Sequence, residues 1–101
     1  MKLGQLAHAR SGDKGNHANI GVIARAPQDY PRLANLLTAD VVANYFAGLG
    51  VTRVERFELP LIGGLNFLLY DALGGGASQA LRIDTQGKLL GTAILELELA
   101  D

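Results

Sequence analysis

Residues 84–99 read Asp84-Thr85-Gln86-Gly87-Lys88-Leu89-Leu90-Gly91-Thr92-Ala93-Ile94-Leu95-Glu96-Leu97-Glu98-Leu99. In the second half Leu95, Leu97 and Leu99 alternate with Glu96 and Glu98. That period of two belongs to a strand with one buried and one wet face. Asp84-Thr85-Gln86-Gly87 is a cluster of turn formers between residues 78–84 and 88–99, which predicts a β-hairpin and so an antiparallel sheet.

Upstream of the hairpin, residues 65–73 allow two readings. Leu65, Leu68, Leu69, Ala72 and Leu73 share one helical face, closed by Gly74-Gly75-Gly76, and the same run also fits a buried strand. The helix is the preferred reading. Residues 51–59 predict a strand with Val54 and Phe57 toward the core, ended by Pro60, which has no amide hydrogen for a ladder. Asp29 is a candidate helix cap with Pro31 in the first turn, and Leu33, Leu36 and Leu37 then fall on one side. Thr38 starts a second cap, after which Val41, Val42, Tyr45, Phe46 and Leu49 repeat at helical spacing. Gly48 and Gly50 supply the left-handed stop. One kinked helix and two short helices both satisfy this pattern. Residues 20–24 form a short β-branched strand stopped by Ala26-Pro27-Gln28-Asp29, and Leu3 and Leu6 support a first strand over residues 2–9. The sum is an α+β fold, a two-layer α/β sandwich. A mainly antiparallel sheet carries one or two helices on one face, and residues 1–101 form a single domain.

The composition narrows the function. Of 101 residues, 49% are hydrophobic, and mean hydropathy is +0.17. A chain of this size hides well under about three quarters of its surface on folding, so this apolar content predicts a patch covered by a partner or by a second copy. Nine basic and ten acidic residues leave a formal charge of −1, which excludes a strong general field for nucleic acid or membrane. With no cysteine, disulfides, thiolate catalysis and cysteine zinc sites are excluded. The first residues lack the apolar stretch of a signal peptide, and no run reaches the length of a membrane span; a cytoplasmic protein is expected.

Functional side chains concentrate in Arg10-Ser11-Gly12-Asp13-Lys14-Gly15-Asn16-His17-Ala18-Asn19, read as a loop because turn formers dominate it. Gly12 and Gly15 let amide hydrogens approach a ligand, Arg10, Lys14 and His17 add positive charge, and Ser11, Asn16 and Asn19 offer hydrogen bonds. Together they suit a carboxylate or a phosphate. It is no P-loop, since a strand and not a helix follows. The competing reading is structural, with Asp13 paired to Arg10 or Lys14 and the asparagines holding the turn. Asn66 and the Gly74-Gly75-Gly76 run are further candidates for ligand or partner contact, the glycines otherwise serving as a helix stop. His8 and His17 match no metal-ligand spacing, so no metal site is assigned. Ser11, His17 and Asp13 do not form an ordered triad. No catalytic residue and no cofactor are assigned.

Three stretches carry a family resemblance: residues 9–19 with Arg10-Ser11-Gly12-Asp13-Lys14-Gly15 as the most specific part, Leu65-Asn66-Phe67, and Leu73-Gly74-Gly75-Gly76 leading to Ser78-Gln79-Ala80-Leu81-Arg82-Ile83-Asp84, with Gly87-Lys88. Together they resemble the C-terminal ferredoxin-fold-like domain of AtuA-like proteins, the acyclic terpene utilisation family, over almost the whole chain. The resemblance implies a ferredoxin-like α/β sandwich and a link to breakdown of acyclic terpenes beside acyl-CoA enzymes. The family domain often follows a large N-terminal domain, whereas Met1 here starts almost at the first strand. A free-standing subunit that docks on a separate AtuA-like large protein, and on copies of itself, is therefore expected. So is an acyl-CoA or carboxylate ligand.

Overall fold

The structure, a computed structural model, describes residues 1–72 and 89–100. Its elements run α1 (Leu3–Leu6), β1 (Ala7–Lys14), β2 (His17–Ala24), α2 (Tyr30–Leu36), α3 (Ala39–Tyr45), β3 (Arg53–Leu59), β4 (Gly64–Tyr70) and α4 (Leu89–Ile94). Single 3-10 turns occupy Pro27–Asp29, Ala47–Leu49 and Pro60–Ile62. The strands form one antiparallel sheet in the order β1-β2-β4-β3.

The period of two decides what each strand buries. Ala18, Ile20 and Val22 of β2 and Leu65, Phe67 and Leu69 of β4 point to one side and are fully buried or nearly so. Against them pack Leu33 and Leu37 from the α2 region, Val42 and Phe46 from the α3 region, and Leu90 and Ile94 from α4, all in one cluster. The helices therefore share one face of the sheet, as the α+β sandwich requires, though more of them lie there than the sequence reading expected. The other face carries none of the described helices.

Residues 29–50 fold as two short helices and not one kinked one. Thr38 Oγ1 accepts from the Val41 amide at 3.2 Å, a side-chain N-cap that restarts the helix. Asp29 makes no such cap bond for α2, whose first turn holds Pro31 instead. The C-terminal carbonyls of the α2 turn are closed from β3, where Arg56 Nη1 donates to the Ala34 and Leu37 oxygens at 2.7 and 2.8 Å. Only Gly50 takes the left-handed conformation (φ 78°) at the end of this region; Gly48 does not.

Several sequence readings change. The strand expected over residues 2–9 begins only at Ala7, in β1, because residues 3–6 coil into α1 and bury Leu3 and Leu6. Residues 65–73 are not the preferred helix but lie in β4 through Tyr70, since a run that pairs with β2 and β3 along both edges satisfies its backbone in the sheet. Within the strand expected over residues 88–99, Leu89–Ile94 form α4 instead, followed by a turn at residues 95–96 and a bridge from Glu98 to Lys2; the proposed partner strand, residues 78–84, lies outside the described residues. Phe57 is not a core residue. It is 45% exposed, because β3 turns Val54 and Arg56 toward the helices and Phe57 away from them.

The alternation expected at the end does hold, with Leu97 and Leu99 buried and Glu96 and Glu98 exposed. This segment lies beside the N-terminus. Leu3 and Gly4 amides donate to the Leu97 and Leu95 carbonyls at 2.8 and 2.9 Å, and the Leu99 amide donates to the Met1 carbonyl at 2.8 Å. Lys2 Nζ reaches Glu96 at 2.6 Å, and hydrogen bonding to that carboxylate, then its charge, raises the Lys2 pKa.

Candidate functional site: the open face of the sheet

Residues 10–19 are not a loop. They form most of a β-hairpin in which Ala7 to Lys14 pair with Ala24 to His17, closed by the two residues Gly15 and Asn16. Gly15 has φ 73°, the positive value required at the first centre of one class of two-residue hairpin turn. The strand period then divides the candidate residues between two faces. Arg10, Gly12, His17 and Asn19 fall on the open face, Ser11 and Asp13 on the helix-bearing face, and Lys14 ends β1 opposite His17. Arg10 and Asp13 lie on opposite sides, so the ion pair allowed by the sequence does not form.

Ser11 has a structural part to play. Its Oγ accepts from the Gly91 amide at 2.6 Å, in the first turn of α4. There a helix has amide hydrogens without partners in its own ladder, so the strand serves as a cap for the helix. The helix approaches so closely that a Cβ on Gly91 would sit 2.9 Å from the Ser11 nitrogen and 3.0 Å from the Arg10 carbonyl carbon.

The open face consists of rows across the four strands. His8, Ile23, Gly64 and Leu59 form one row; Arg10, Gly21, Asn66 and Phe57 the next; Gly12, Asn19, Leu68 and Glu55 the third. Gly12, Gly21 and Gly64 therefore step diagonally across β1, β2 and β4 and leave bare backbone between taller side chains. A Cβ at Gly21 would meet nothing closer than the Asn66 Oδ1 at 3.8 Å, so the space above it is open. At Gly64 the diagonal closes, where a Cβ would lie 3.2 Å from Ile23 Cγ1 and 3.6 Å from Ile62 Cγ1. Asn19 and Asn66 meet beside the glycines, with Asn19 Nδ2 donating to Asn66 Oδ1 at 3.4 Å. Arg10 is exposed and pairs with no described residue.

The two ends of this face differ in chemistry. Beside the hairpin turn, His17 and Tyr70 rings lie 4.8 Å apart, and the Arg53 guanidinium covers the Tyr70 ring at 4.2 Å. The Tyr70 hydroxyl donates to Glu55, which also pairs with Arg53 at 3.3 Å. His17 Nδ1 accepts from the Asp71 amide at 2.9 Å, which leaves the ring proton on Nε2. At the opposite end the surface is apolar. Ile23 (44% exposed), Phe57 (45%), Leu59 (41%), Ile62 (59%) and Leu61 (100%) gather about the β3–β4 corner.

Sequence reading singled out Arg10, Gly12, His17, Asn19 and Asn66, and the sheet brings them to one surface. It missed Gly21, Ile23, Phe57 and the corner residues. The signal for them was the period of two running through the hairpin, hidden because both strands present small and polar groups on the open face. The Gly74-Gly75-Gly76 candidate lies outside the described residues. Among the described residues no group of three or more His, Asp and Glu gathers as a metal would need, and no helix is long and apolar enough to cross a membrane.

The family model of the AtuA ferredoxin-like domain matches residues 1–100. Neither a curated protein nor a solved structure matches the chain. With a helix-backed antiparallel sheet and a family match over almost its full length, the chain belongs to the AtuA ferredoxin-like domain family.

Proposed function

We propose that this domain is an accessory subunit that docks on a larger AtuA-like protein and serves, in the cytoplasm, a complex handling acyclic terpenes or their acyl-CoA derivatives. The observation that carries this reading is the apolar corner. Leu61 is wholly exposed, with Ile62, Leu59, Phe57 and Ile23 beside it, while most of the other large aliphatic side chains of the described residues sit in or against the core. Solvent contact with such a contiguous patch is unfavourable, at roughly 25 cal/mol for each Å² left uncovered, so a neighbour that covers it is stabilised there. The corner adjoins the open sheet face through Ile23 and Phe57.

The test is co-expression with an AtuA-like large protein and recovery of the complex by affinity capture of the large chain. Leu61→Asp replaces a side chain that makes no buried contact, so the fold survives and the complex is lost. A wild-type chain that stays a monomer beside the large protein, with no co-purification, overturns the reading. Recovery of a homodimer through the same corner replaces the large partner with a second copy.

A second reading is favoured by Arg10, which stands unpaired among the described residues beside the Asn19–Asn66 pair. Here the hairpin supplies the anion-binding half of a site for an acyl-CoA or carboxylate ligand, and the large chain completes it. Assay of the complex with and without this subunit separates a catalytic contribution from a purely structural one.

A further inference from the structure

We infer that the glycine diagonal is a binding trough for an amphiphilic carboxylate, its head held above Gly21 by Arg10 and Asn66 and its aliphatic tail laid toward Ile23, Ile62 and Phe57. The inference rests on the second reading above and adds the orientation, the apolar half and the ligand class.

Charge sets the head group. Arg10 is exposed and without a partner among the described residues, and it neighbours Gly21 in the β1–β2 register. Gly21 in turn neighbours Asn66, so a guanidinium and an amide flank one bare stretch of backbone. The Asn66 atom nearest the space above Gly21 is Oδ1, 3.8 Å from where a Cβ would stand, and it accepts from Asn19 Nδ2 at 3.4 Å, so Arg10 carries the head-group contact and Asn66 adds only its outlying NH2 as a donor. A planar, forked guanidinium beside an amide donor suits the two oxygens of a carboxylate. The only carboxylate on the neighbouring rows, Glu55, is taken up by Arg53 and Tyr70 and does not compete for Arg10.

Geometry sets the tail. One row along the sheet is about 7 Å, two residues of extended chain, and the next row from Gly21 is that of Ile23 and Gly64. The trough floor there lies under Ile23 and Ile62. A tail of medium length therefore leaves the polar pair and reaches aliphatic side chains at once. A diphosphate or a bare sugar would meet only one of the two halves.

The experiment follows backbone amide shifts by nuclear magnetic resonance while hexanoate, hexanamide or acetate is titrated into the full chain. Hexanoate is expected to move Gly12, Asn19, Gly21 and Asn66 together with Ile23 in one saturable curve, with hexanamide and acetate each at least tenfold weaker. Gly21→Val fills the trough while its Cβ meets only ordinary contacts, and it is expected to abolish the response with the spectrum otherwise native. Arg10→Ala is expected to weaken hexanoate to the level of hexanamide. Equal response to acetate and hexanoate overturns the trough and leaves the anion reading standing. No saturable response to either anion overturns the trough, while the shared-site reading is decided by the assay of the complex; a response that survives Gly21→Val places the ligand elsewhere and also overturns the trough.

Discussion

Replacing Ser11 by alanine tests whether this residue of the Arg10-Ser11-Gly12-Asp13-Lys14-Gly15 segment builds the fold or touches a ligand. Its Oγ accepts the Gly91 amide hydrogen at 2.6 Å, and Gly91 itself is buried. Alanine removes the acceptor and leaves a donor in the first turn of α4 with no intrahelical partner and little access to water. Loss of an N-terminal side-chain cap costs about 0.5–2 kcal/mol, and stranding a buried donor costs about 1–3 kcal/mol. The contact is part-buried, so about 1–2 kcal/mol is expected. A domain of this size loses about 4–8 °C of Tm for each kcal/mol, which places the shift at about 4–16 °C. Thermal unfolding followed by circular dichroism measures it, with urea unfolding as a check that the slope is unchanged. A Tm within about 2 °C of wild type, or an intact Tm with lost binding of partner or carboxylate, would refute the assignment of Ser11 to the α4 contact.

Gly91→Ala acts on the same contact from the other side. The added Cβ would stand 2.9–3.0 Å from the Ser11 and Arg10 main chain, and overpacking of about 1–3 kcal/mol is expected to outweigh alanine's helix preference, read as a lowered urea midpoint. Arg56→Met keeps the side-chain stem but frees the Ala34 and Leu37 carbonyls; a loss of about 2–4 kcal/mol in equilibrium unfolding is expected from two charge-assisted bonds, and an unchanged midpoint would show that water replaces the guanidinium. Phe57→Ala is expected to cost well under the about 3–5 kcal/mol of a core phenylalanine, while Phe67→Ala reaches it; equal losses in the same denaturation assay would put Phe57 back in the core. Hydrogen bonding to Glu96 raises the Lys2 pKa in the folded state above its ordinary value of 10.5. While the Glu96 carboxylate is ionised, the contribution of that pair is full below pH 10.5 and fades as pH climbs through the folded pKa; Glu96→Gln is expected to bring the Lys2 titration, followed at its side-chain carbons, back down.

Much of the fold was written in local patterns. Alternating leucines and glutamates over residues 95–99 place the right side chains inside whatever the partner strand is. Thr38 two residues ahead of Asp40 and three ahead of Val41 marks a helix start that any chain would use. Pro60 ends a strand because it lacks a donor. These are short-range effects, settled within a turn or a few strand residues, and so they are legible without knowing the rest of the chain. The family segment was also visible, as a dense set of small and charged residues around Gly15.

The tertiary structure decided what local pattern left open. Residues 65–70 satisfy both a helical face and a buried strand, and only neighbours on both sides, β2 and β3, make the strand the better home for their amides and carbonyls. Residues 10–19 read as a loop because their side chains are small and polar. They extend because β1 finds a partner in β2 and because Gly91 lets α4 lie against the Ser11 backbone from eighty residues away. That pairing alone sends Arg10 and Asn19 to the open face and Ser11 and Asp13 to the other. A strand's period is local, but which of its faces meets solvent depends on what the rest of the chain packs against it. That division turns one cluster of candidate residues into a helix support on one side and a surface for binding on the other.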